Sequence, residues 1–598
     1  MPPSKKPSDR NPLPGQRVVT LALWLVAGIA LALGLRSALK TTSAPKPESP
    51  ALPAGRTVTY SRDIAPIVYR HCSGCHRPGD AAPFPLLSYA DAKKHAQQIA
   101  EVTRRRVMPP WLPERGHNEF VGERYLSETE IALLARWAEQ GAPEGNPADA
   151  PPYPTFSGQE WKLGKPDLVV RLPQPYALAA DGKDVYRNFV IPVPIPSRRY
   201  VRAIEFNPGN PKTVHHAFML LDTSGDSRRR DAEDPDIGFP GLHAPPGVQA
   251  PAGHFLSWQP GKLATADADE LAWPLETGTD LILQVHLRST GKPEQVQPSV
   301  AFYFTETRPT RAPFKFGLWT HAIDIPAGST NHTVAESFTL PADVEIIRVL
   351  PHAHYLGKQL RAWATLPDGK QQWLVNIPAW DFNWQGDYAY RKPVALPKGA
   401  VIHMAYTFDN STNNPANPSH PPQRVTYGVN SGDEMAEFWL QVLTRSTNDT
   451  ALIEKEYQPR LFRSTISYNS YLLRQDLNNA KAHTEIGKAH LFLSQHEEAA
   501  RFLRRSIELK PGEDEPHYYL GLLWRVTGRF VEAQAEFEAA VRANPNNHKA
   551  HGNLGLVHLQ EGRIPEAEIH LRAALRINPG DAVAQQALDE LGRQRGRK

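Results

Sequence analysis

Residues 345–356 read EIIRVLPHAHYL, a short apolar run that ends in His352 and His354. Three further runs share this character and are bounded by Pro, Gly, Asn or Asp: LILQVHLRS (281–289), SVAFYFTE (299–306) and AVIHMAYTF (400–408). Such runs between turn residues are typical of antiparallel β-sandwiches. From about Lys165 to Arg445 we therefore expect β structure, long enough for two sandwiches at 165–310 and 311–445.

Six side chains that bind soft metals lie in this β region: His215 and His216 in VHHAFMLLD, His286 in LQVHLRST, His352 and His354 in PHAHYLGKQL, and Met435 in SGDEMAEFW. Imidazole and thioether ligands suit copper that cycles between Cu(I) and Cu(II) better than they suit zinc. Residues two apart on a strand point to the same face, so His352 and His354 can reach one metal. The adjacent His215 and His216 would do so only at a strand end or a bulge.

Each motif taken singly also has a purely structural interpretation. The adjacent pair can be one buried and one exposed histidine, and His286 can be the polar end of a half-buried strand. An isolated methionine is usually core filler. Met435, however, stands in a polar context in a protein with only five methionines, which favours a ligand role.

The order of the blocks resembles the copper type II, ascorbate-dependent monooxygenases, the family of peptidylglycine α-hydroxylating monooxygenase and dopamine β-monooxygenase. The resemblance covers about Lys165 to Arg445, and Gln284 beside His286 also fits it. It implies two jelly-roll-like β-sandwiches and two copper ions. An electron-storing copper would bind His215, His216 and His286, and an oxygen-activating, catalytic copper would bind His352, His354 and Met435. The implied reaction inserts oxygen from O₂ into a C–H bond of a small-molecule or peptide-like substrate.

Two departures from this family stand out. Its animal members carry several disulfides, whereas the two cysteines here both lie in one CSGCH motif. The residues at the positions that hold a peptide carboxylate in the family are Leu350, Glu437 and Trp439 here. A peptidylglycine substrate is therefore disfavoured, and Glu437 suits a cationic amine.

CSGCH at 72–76 predicts a covalently attached c-type haem. In CxxCH motifs the thiols of Cys72 and Cys75 bond the haem vinyl groups and His76 ligates the iron. No second Cys/His pair supports a zinc site, and no βαβ pattern supports a redox dithiol. Residues 58–145 read helical, as in a cytochrome c-like domain. Met108 is the expected second axial ligand, with His95 as the alternative; a methionine raises the haem potential relative to two histidines.

The haem predicts an electron supply on the same chain. It would re-reduce the copper pair, taking over some or all of the role of ascorbate in the animal enzymes. The external electron donor is then an ascorbate-like reductant or a redox protein.

Residues 479–598 form a repeat array with a period of thirty-four residues, set by the following positions: Gly487, Gly521 and Gly555; Ala499, Ala533 and Ala567; Pro511, Pro545 and Pro579. This is the helix–turn–helix period of tetratricopeptide repeats. Three units and a polar capping helix at Asp581 to Gly592 are expected. The array predicts a protein or peptide partner on its concave face, or a purely stabilising role.

The N-terminus predicts membrane attachment. A basic segment (1–17) precedes an apolar segment (18–39), and a Pro/Ser/Lys-rich linker (40–57) follows. The basic end would stay in the cytoplasm and the bulk of the chain in the periplasm or outside the cell. A cleaved signal peptide is the close alternative. The net charge of +4 and the absence of a basic binding fold speak against a nucleic-acid partner.

The sequence thus predicts a multidomain copper-dependent monooxygenase, supplied with electrons by its own haem. Two other functions stay open. One is a non-enzymatic copper and haem electron-transfer protein. The other is an assembly scaffold in which the repeats act and the sandwiches have degenerated, although the presence of all six ligands disfavours it.

Overall fold

The computed structural model describes residues 55–78, 82–153, 161–181, 184–241, 247–251, 253–262 and 264–595. The apolar segment predicted to be an anchor or signal lies outside these residues. Within the described part of the chain, no helix combines the length and apolar character that crossing a bilayer requires.

The first described unit is helical, as its sequence predicts. After a π-turn at Tyr60–Ile64, its helices are α1 (Ala65–His71), α2 (Tyr89–Lys94), α3 (Ala96–Arg104) and α4 (Glu128–Glu139). Capping boxes start α2 at Ser88 and α4 at Ser127, where each serine accepts from the backbone N–H three residues on. The fully buried Trp137 centres the core. The helical stretch after the cysteines is broken at His95, between α2 and α3.

The first β region consists of two packed antiparallel sheets. Its elements are β1 (Leu168–Arg171), β2 (Tyr176–Leu178), β3 (Val185–Pro192), β4 (Arg199–Asn207), β5 (Val214–Asp222), α5 (Asp226–Glu233), β6 (Phe239–Pro240), β7 (Ser257–Trp258), β8 (Trp273–Leu275), β9 (Asp280–Leu287), β10 (Glu294–Val296) and β11 (Ser299–Thr305). One sheet has the order β1-β11-β4-β8 and the other β6-β3-β9-β5-β7. Phe302 from the first sheet and Phe189 from the second share one core. We refer to this unit as the first sandwich.

The second β region repeats this architecture. Its strands are β12 (Phe314–Trp319), β13 (Asp324–Ile325), β14 (His332–Thr339), β15 (Val344–Ala353), β16 (Gly357–Thr365), β17 (Gln371–Ile377), β18 (Tyr388–Leu396), β19 (Val401–Phe408), β20 (Val425–Thr426) and β21 (Ala436–Thr444). The sheets β12-β21-β15-β18 and β14-β19-β16-β17 enclose a core that includes Phe438 and Tyr406. This unit is the second sandwich. The β-rich middle region is therefore confirmed.

The loop between α3 and α4 ties the helical unit to the second sandwich. Its Phe120 is 2% exposed and belongs to the core of that sandwich, where it stacks on Tyr390 at 5.0 Å. Backbone bonds continue the contact: the N–H of Val121 donates to Ala389 O at 2.8 Å, and that of Glu114 donates to Asn376 O at 2.7 Å. The predicted haem domain is thus held against the predicted catalytic domain.

A long helix, α6 (Thr447–Gln475), connects the second sandwich to the repeats. Its Tyr457 is buried in the sandwich core, and its hydroxyl donates to Gly317 O at 2.6 Å. The array that follows comprises α7 (Ala480–Phe492), α8 (His496–Leu509), α9 (Asp514–Val526), α10 (Phe530–Ala543), α11 (His548–Gln560), α12 (Ile564–Ile577) and α13 (Ala582–Arg595). These are three helix pairs and a capping helix, as the spacing predicts.

Candidate metal centre

A bulge in β5 brings three predicted ligands together. The register between β5 and β9 shifts between Val214 and His216, so the adjacent His215 and His216 do not alternate across the sheet. His216 lies directly opposite His286 on β9. The Nδ1 atom of His215 lies 3.2 Å from Nδ1 of His216 and 3.3 Å from Nδ1 of His286, and the third separation is 3.4 Å.

These distances fit a single metal ion. Ligand nitrogens about 2.0–2.1 Å from a tetrahedral metal are about 3.3–3.4 Å from one another. Burial lowers the pKa of His215 to about 4, and it also lowers the pKa values of His216 and His286. All three imidazoles are therefore neutral near pH 7, which is the form that binds metal. Three neutral Nδ1 atoms in mutual contact lack donors for all their lone pairs, and a cation would satisfy them.

Two residues that the sequence did not single out support this cluster. A carboxylate oxygen of Asp184 lies 3.0 Å from Nε2 of His286, where it stabilises a proton on that nitrogen and leaves Nδ1 free. The ring of Tyr186 stacks on His286 at 4.2 Å. His286 itself lies on a strand that is buried throughout, so it is not the polar end of a half-buried strand.

The second set of predicted ligands lies where β15 ends and β21 begins. The rings of His352 and His354 are 5.1 Å apart. Ala353 pairs with Ala436 in the sheet, so the residues next to this pair, His354 and Met435, lie at neighbouring positions across the two strands. Burial, with His352 beside it, lowers the pKa of His354 to about 3. This imidazole is neutral as well.

Hydrogen bonds fix which nitrogen of each histidine is free. Nδ1 of His352 donates to Gln385 Oε1 at 2.6 Å, and Nδ1 of His354 donates to the backbone oxygen of Asp433 at 3.0 Å. Both Nε2 atoms therefore keep their lone pairs. Locking the tautomer through the second ring nitrogen is the usual arrangement for metal-binding histidines. Gln385 gave no sequence signal, because it lies 33 residues away in a loop.

A buried glutamate holds the two ligand segments together. Glu434 is fully buried and accepts from the backbone N–H groups of His354 at 2.8 Å, Leu356 at 2.7 Å and Met435 at 3.1 Å. Burial raises the pKa of Glu434 to about 8, although these donors oppose the shift. The sequence gives no sign of this role beyond the position of the residue next to Met435.

Residues of both ligand sets line one cavity between the sandwiches, with a volume of about 490 Å³. It is lined by His215, His216, His352, His354, Met435 and Gln284, and also by Leu350, Glu437 and Trp439. Phe382 stands between the two sets, with its ring 5.6 Å from that of His215 and 5.5 Å from that of His354. These two imidazoles are therefore at most about 11 Å apart.

Charged groups join the two sandwiches beside this cavity. Arg348 bonds Asp387 at 3.0 Å and Asp267 at 3.2 Å, and Lys262 pairs with the other oxygen of Asp387. Lys262 and Asp267 belong to the first sandwich, Arg348 and Asp387 to the second. The carboxylate of Asp387 on the cavity wall is thus already neutralised.

The CSGCH residues form a tight turn after α1. The N–H groups of Cys75 and His76 both donate to Cys72 O, at 3.1 and 2.9 Å, and both thiols are free. Nδ1 of His76 donates to Phe84 O at 3.0 Å, which leaves Nε2 as the metal-binding nitrogen. Burial raises the pKa of the Cys72 thiol to about 12, so it is not the activated thiolate of a redox dithiol.

The two candidate axial ligands differ in their surroundings. His95 stacks on Phe84 at 3.9 Å, and its Nδ1 lies 3.1 Å from Gln98 Oε1. Met108 is half-buried in the turn after α3, where its N–H donates to Val102 O at 3.2 Å. His95 is thus engaged on both a ring face and a nitrogen.

Comparison with known proteins identifies the C-terminal region. Tetratricopeptide repeat models match residues 480–513 and 518–582. Similar solved structures include MamA (21% identity, 25% of this chain and 85% of that chain, TM-score 0.22) and the Arabidopsis OM64 TPR domain (22%, 19% and 95%, 0.19). Another is the first TPR of Spaghetti (RPAP3) bound to HSP90 peptide SRMEEVD (17%, 20% and 93%, 0.19). No curated protein matches the chain. The C-terminal region therefore consists of tetratricopeptide repeats, as its spacing predicts.

Proposed function

We propose that the protein is a copper-dependent monooxygenase that hydroxylates a C–H bond of an organic substrate. The observation that carries this proposal is the common cavity. Soft-metal ligands from two sets line it from opposite sandwiches, with one phenyl ring between them. Five histidines and a methionine are a donor set suited to copper.

The two ligand sets would hold one copper each. When bound, copper supplies one-electron redox chemistry and O₂ activation, so that one oxygen atom enters a C–H bond and the other leaves as water after two electrons and two protons have been taken up. Asp184, Gln385 and the Asp433 carbonyl set the tautomers of the ligating histidines.

The cavity favours an enzyme over a pure electron carrier. Its volume lies within the range of small-molecule sites, about 300–1,000 Å³. An electron-transfer protein needs no substrate-sized space between its metals. A degenerate scaffold would be under no constraint to keep all six ligands. Nor would it need to keep the three groups that set the histidine tautomers or the bulge in β5 that brings His215 beside His216.

The haem is the proposed electron donor. When bound to Cys72, Cys75 and His76, it supplies one electron at a time. The loop that follows Met108 lies on the second sandwich, where the ring centres of Trp111 and Tyr388 are 5.4 Å apart. Both residues lie near Gln385, which is hydrogen-bonded to His352. This rigid attachment would spare the donor a diffusional encounter.

The tetratricopeptide repeats are the proposed docking site for a protein or peptide. Stacked helix pairs offer a continuous concave surface to such partners. An exported, membrane-anchored location remains part of the proposal on sequence grounds alone.

Metal and haem stoichiometry of the purified protein tests the proposal. We expect two coppers after reconstitution and one haem by pyridine haemochrome. A His352→Ala/Met435→Ala variant should keep about one copper. The matched control, His332→Ala, removes a histidine that does not line the cavity and should keep two. Oxygen uptake coupled to a hydroxylated product then excludes the electron-transfer alternative.

Absence of copper after reconstitution, or one zinc in its place, would overturn the monooxygenase proposal. The donor role has a separate test. Replacing Cys72 and Cys75 by serine should abolish turnover with a redox-protein donor and spare turnover with a chemical reductant. Loss of both activities, or of neither, would contradict that role.

A further inference from the structure

Lys315 brings an unpaired positive charge to the wall of the cavity. It lies on β12, partly buried, with its ammonium 5.4 Å from the ring of Phe255 and 5.9 Å from that of Trp439. Among the residues that the structure describes, no carboxylate pairs with it and no acceptor bonds it. Burial lowers its pKa, and no neighbouring acid raises it. A desolvated ammonium without a partner is costly unless a ligand supplies the opposite charge.

The other charged groups of the cavity do not compete for this role. Among the described residues, Lys315 is the only lysine or arginine lining it, and Asp387 is bound by two cations. The carboxylate of Glu437 accepts from the indole N–H of Trp439 at 2.9 Å. Trp439 therefore lies between the anion and the cation. Of these three charged groups, Lys315 is the one for which the described part of the chain supplies no polar partner.

Sheet register places Lys315 far from the proposed copper on the second sandwich. Lys315 pairs with Gln441, whereas His352 pairs with Glu437 on the same strand, β21. Four residues of β-strand span about 13 Å at ~3.3 Å per residue, and β12 and β15 are two strands apart, about 10 Å sideways, so the two backbones are about 16 Å apart. A molecule that binds Lys315 and also reaches the metal site at His352 must span this distance.

The surface between these two points is apolar. Trp439 and Leu350 occupy the intermediate row of the sheet, opposite Gly317. The Trp439 ring lies flat against this glycine, where an added Cβ would meet its Cδ2 at 2.9 Å. Phe218 and Phe255 face this row from the first sandwich.

We propose that Lys315 anchors the carboxylate of an elongated, apolar or aromatic carboxylic acid, whose far end reaches the His352/His354/Met435 site. This deepens the proposed monooxygenase function and rests on it. The oxidised carbon then lies on the order of 10 Å from the carboxylate, since the anchor and the ligands are about four strand residues apart. A carbon next to the carboxylate would stay out of reach.

Binding of three matched probes to the full chain tests this assignment. 6-Phenylhexanoate, 6-phenylhexan-1-ol and 6-phenylhexan-1-amine differ only in their head group. Calorimetric titration is made with copper-loaded and with metal-free protein, so a failure of copper to bind leaves the comparison intact. We expect the acid to bind about ten- to hundredfold more tightly than the alcohol in both forms, because one charge-assisted hydrogen bond contributes a difference of about this size.

Variants assign the preference to the residue. Lys315→Met should lower the affinity for the acid to that for the alcohol, and retained binding of the alcohol shows that the cavity is folded. Lys315→Arg should retain the preference. The control, Lys370→Met, removes a surface cation bonded to Asp368 and should behave as wild type.

Three results would overturn the proposal. They are equal binding of acid and alcohol by the wild type, a preference for the acid that survives in Lys315→Met, and tightest binding of the amine with loss in Glu437→Gln. The last would make Glu437 the anchor.

Discussion

Replacing Glu434 by alanine should loosen the turn that carries His354. In the native protein its two carboxylate oxygens accept from the N–H groups of His354, Leu356 and Met435. A buried N–H left without an acceptor costs about 1–3 kcal/mol. Since about 1.4 kcal/mol is a tenfold change in an equilibrium, each amide should open about ten- to hundredfold more often.

Hydrogen exchange followed by mass spectrometry on peptides covering 350–360 measures this opening directly. Glu434→Gln keeps one acceptor oxygen and should exchange at an intermediate rate. The matched control is Glu437→Ala, which removes a carboxylate three residues further along, on β21, that accepts from an indole N–H. Copper affinity of the second site should fall about ten- to hundredfold in Glu434→Ala, because it supports two ligand segments.

Exchange in Glu434→Ala at the wild-type rate would refute this reasoning. So would the same acceleration in Glu437→Ala, since the lost backbone acceptors of Glu434 would then not explain the effect.

Two further predictions concern the repeats. Gly521→Ala should lower the free energy of unfolding of the array by about 1–3 kcal/mol, because the new Cβ would meet a Phe537 ring carbon at 2.8 Å. Gly552→Ala has 3.8 Å to its nearest neighbour and should stabilise its helix by about 0.5–1 kcal/mol. Thermal melting followed by circular dichroism compares the two variants, and equal shifts in melting temperature would contradict the packing argument. Burial and the neighbouring His551 and His558 lower the pKa of His570 to about 4, so only the unfolded chain takes up this proton between pH 6.5 and 4 and stability falls as the pH drops. His570→Gln should reduce the loss between pH 7 and 5 by on the order of 1 kcal/mol, given partial exposure of the ring, and an unchanged pH dependence would show that His570 contributes nothing.

Local pattern was sufficient for much of the architecture. The spacing of Gly487, Gly521 and Gly555 predicts the helix pairs because each glycine lies where paired helices approach closely, as the facing Leu503, Phe537 and Leu571 side chains show. Short strands between turn residues likewise predict a β-rich middle region. Both signals depend on residues near one another in the chain. The long helix α6 repeats no such pattern, and its residues do not predict it.

The sequence also determined which side chains are chemically suited to copper and haem, since ligand type is a property of the residue itself. The tertiary structure decided where they meet. The bulge beside His215, the partners Asp184 and Gln385, the support from Glu434 and the position of Lys315 all depend on contacts between residues distant in the chain. Such contacts are set by strand register and by the packing of two sandwiches, and no local pattern of residues encodes them.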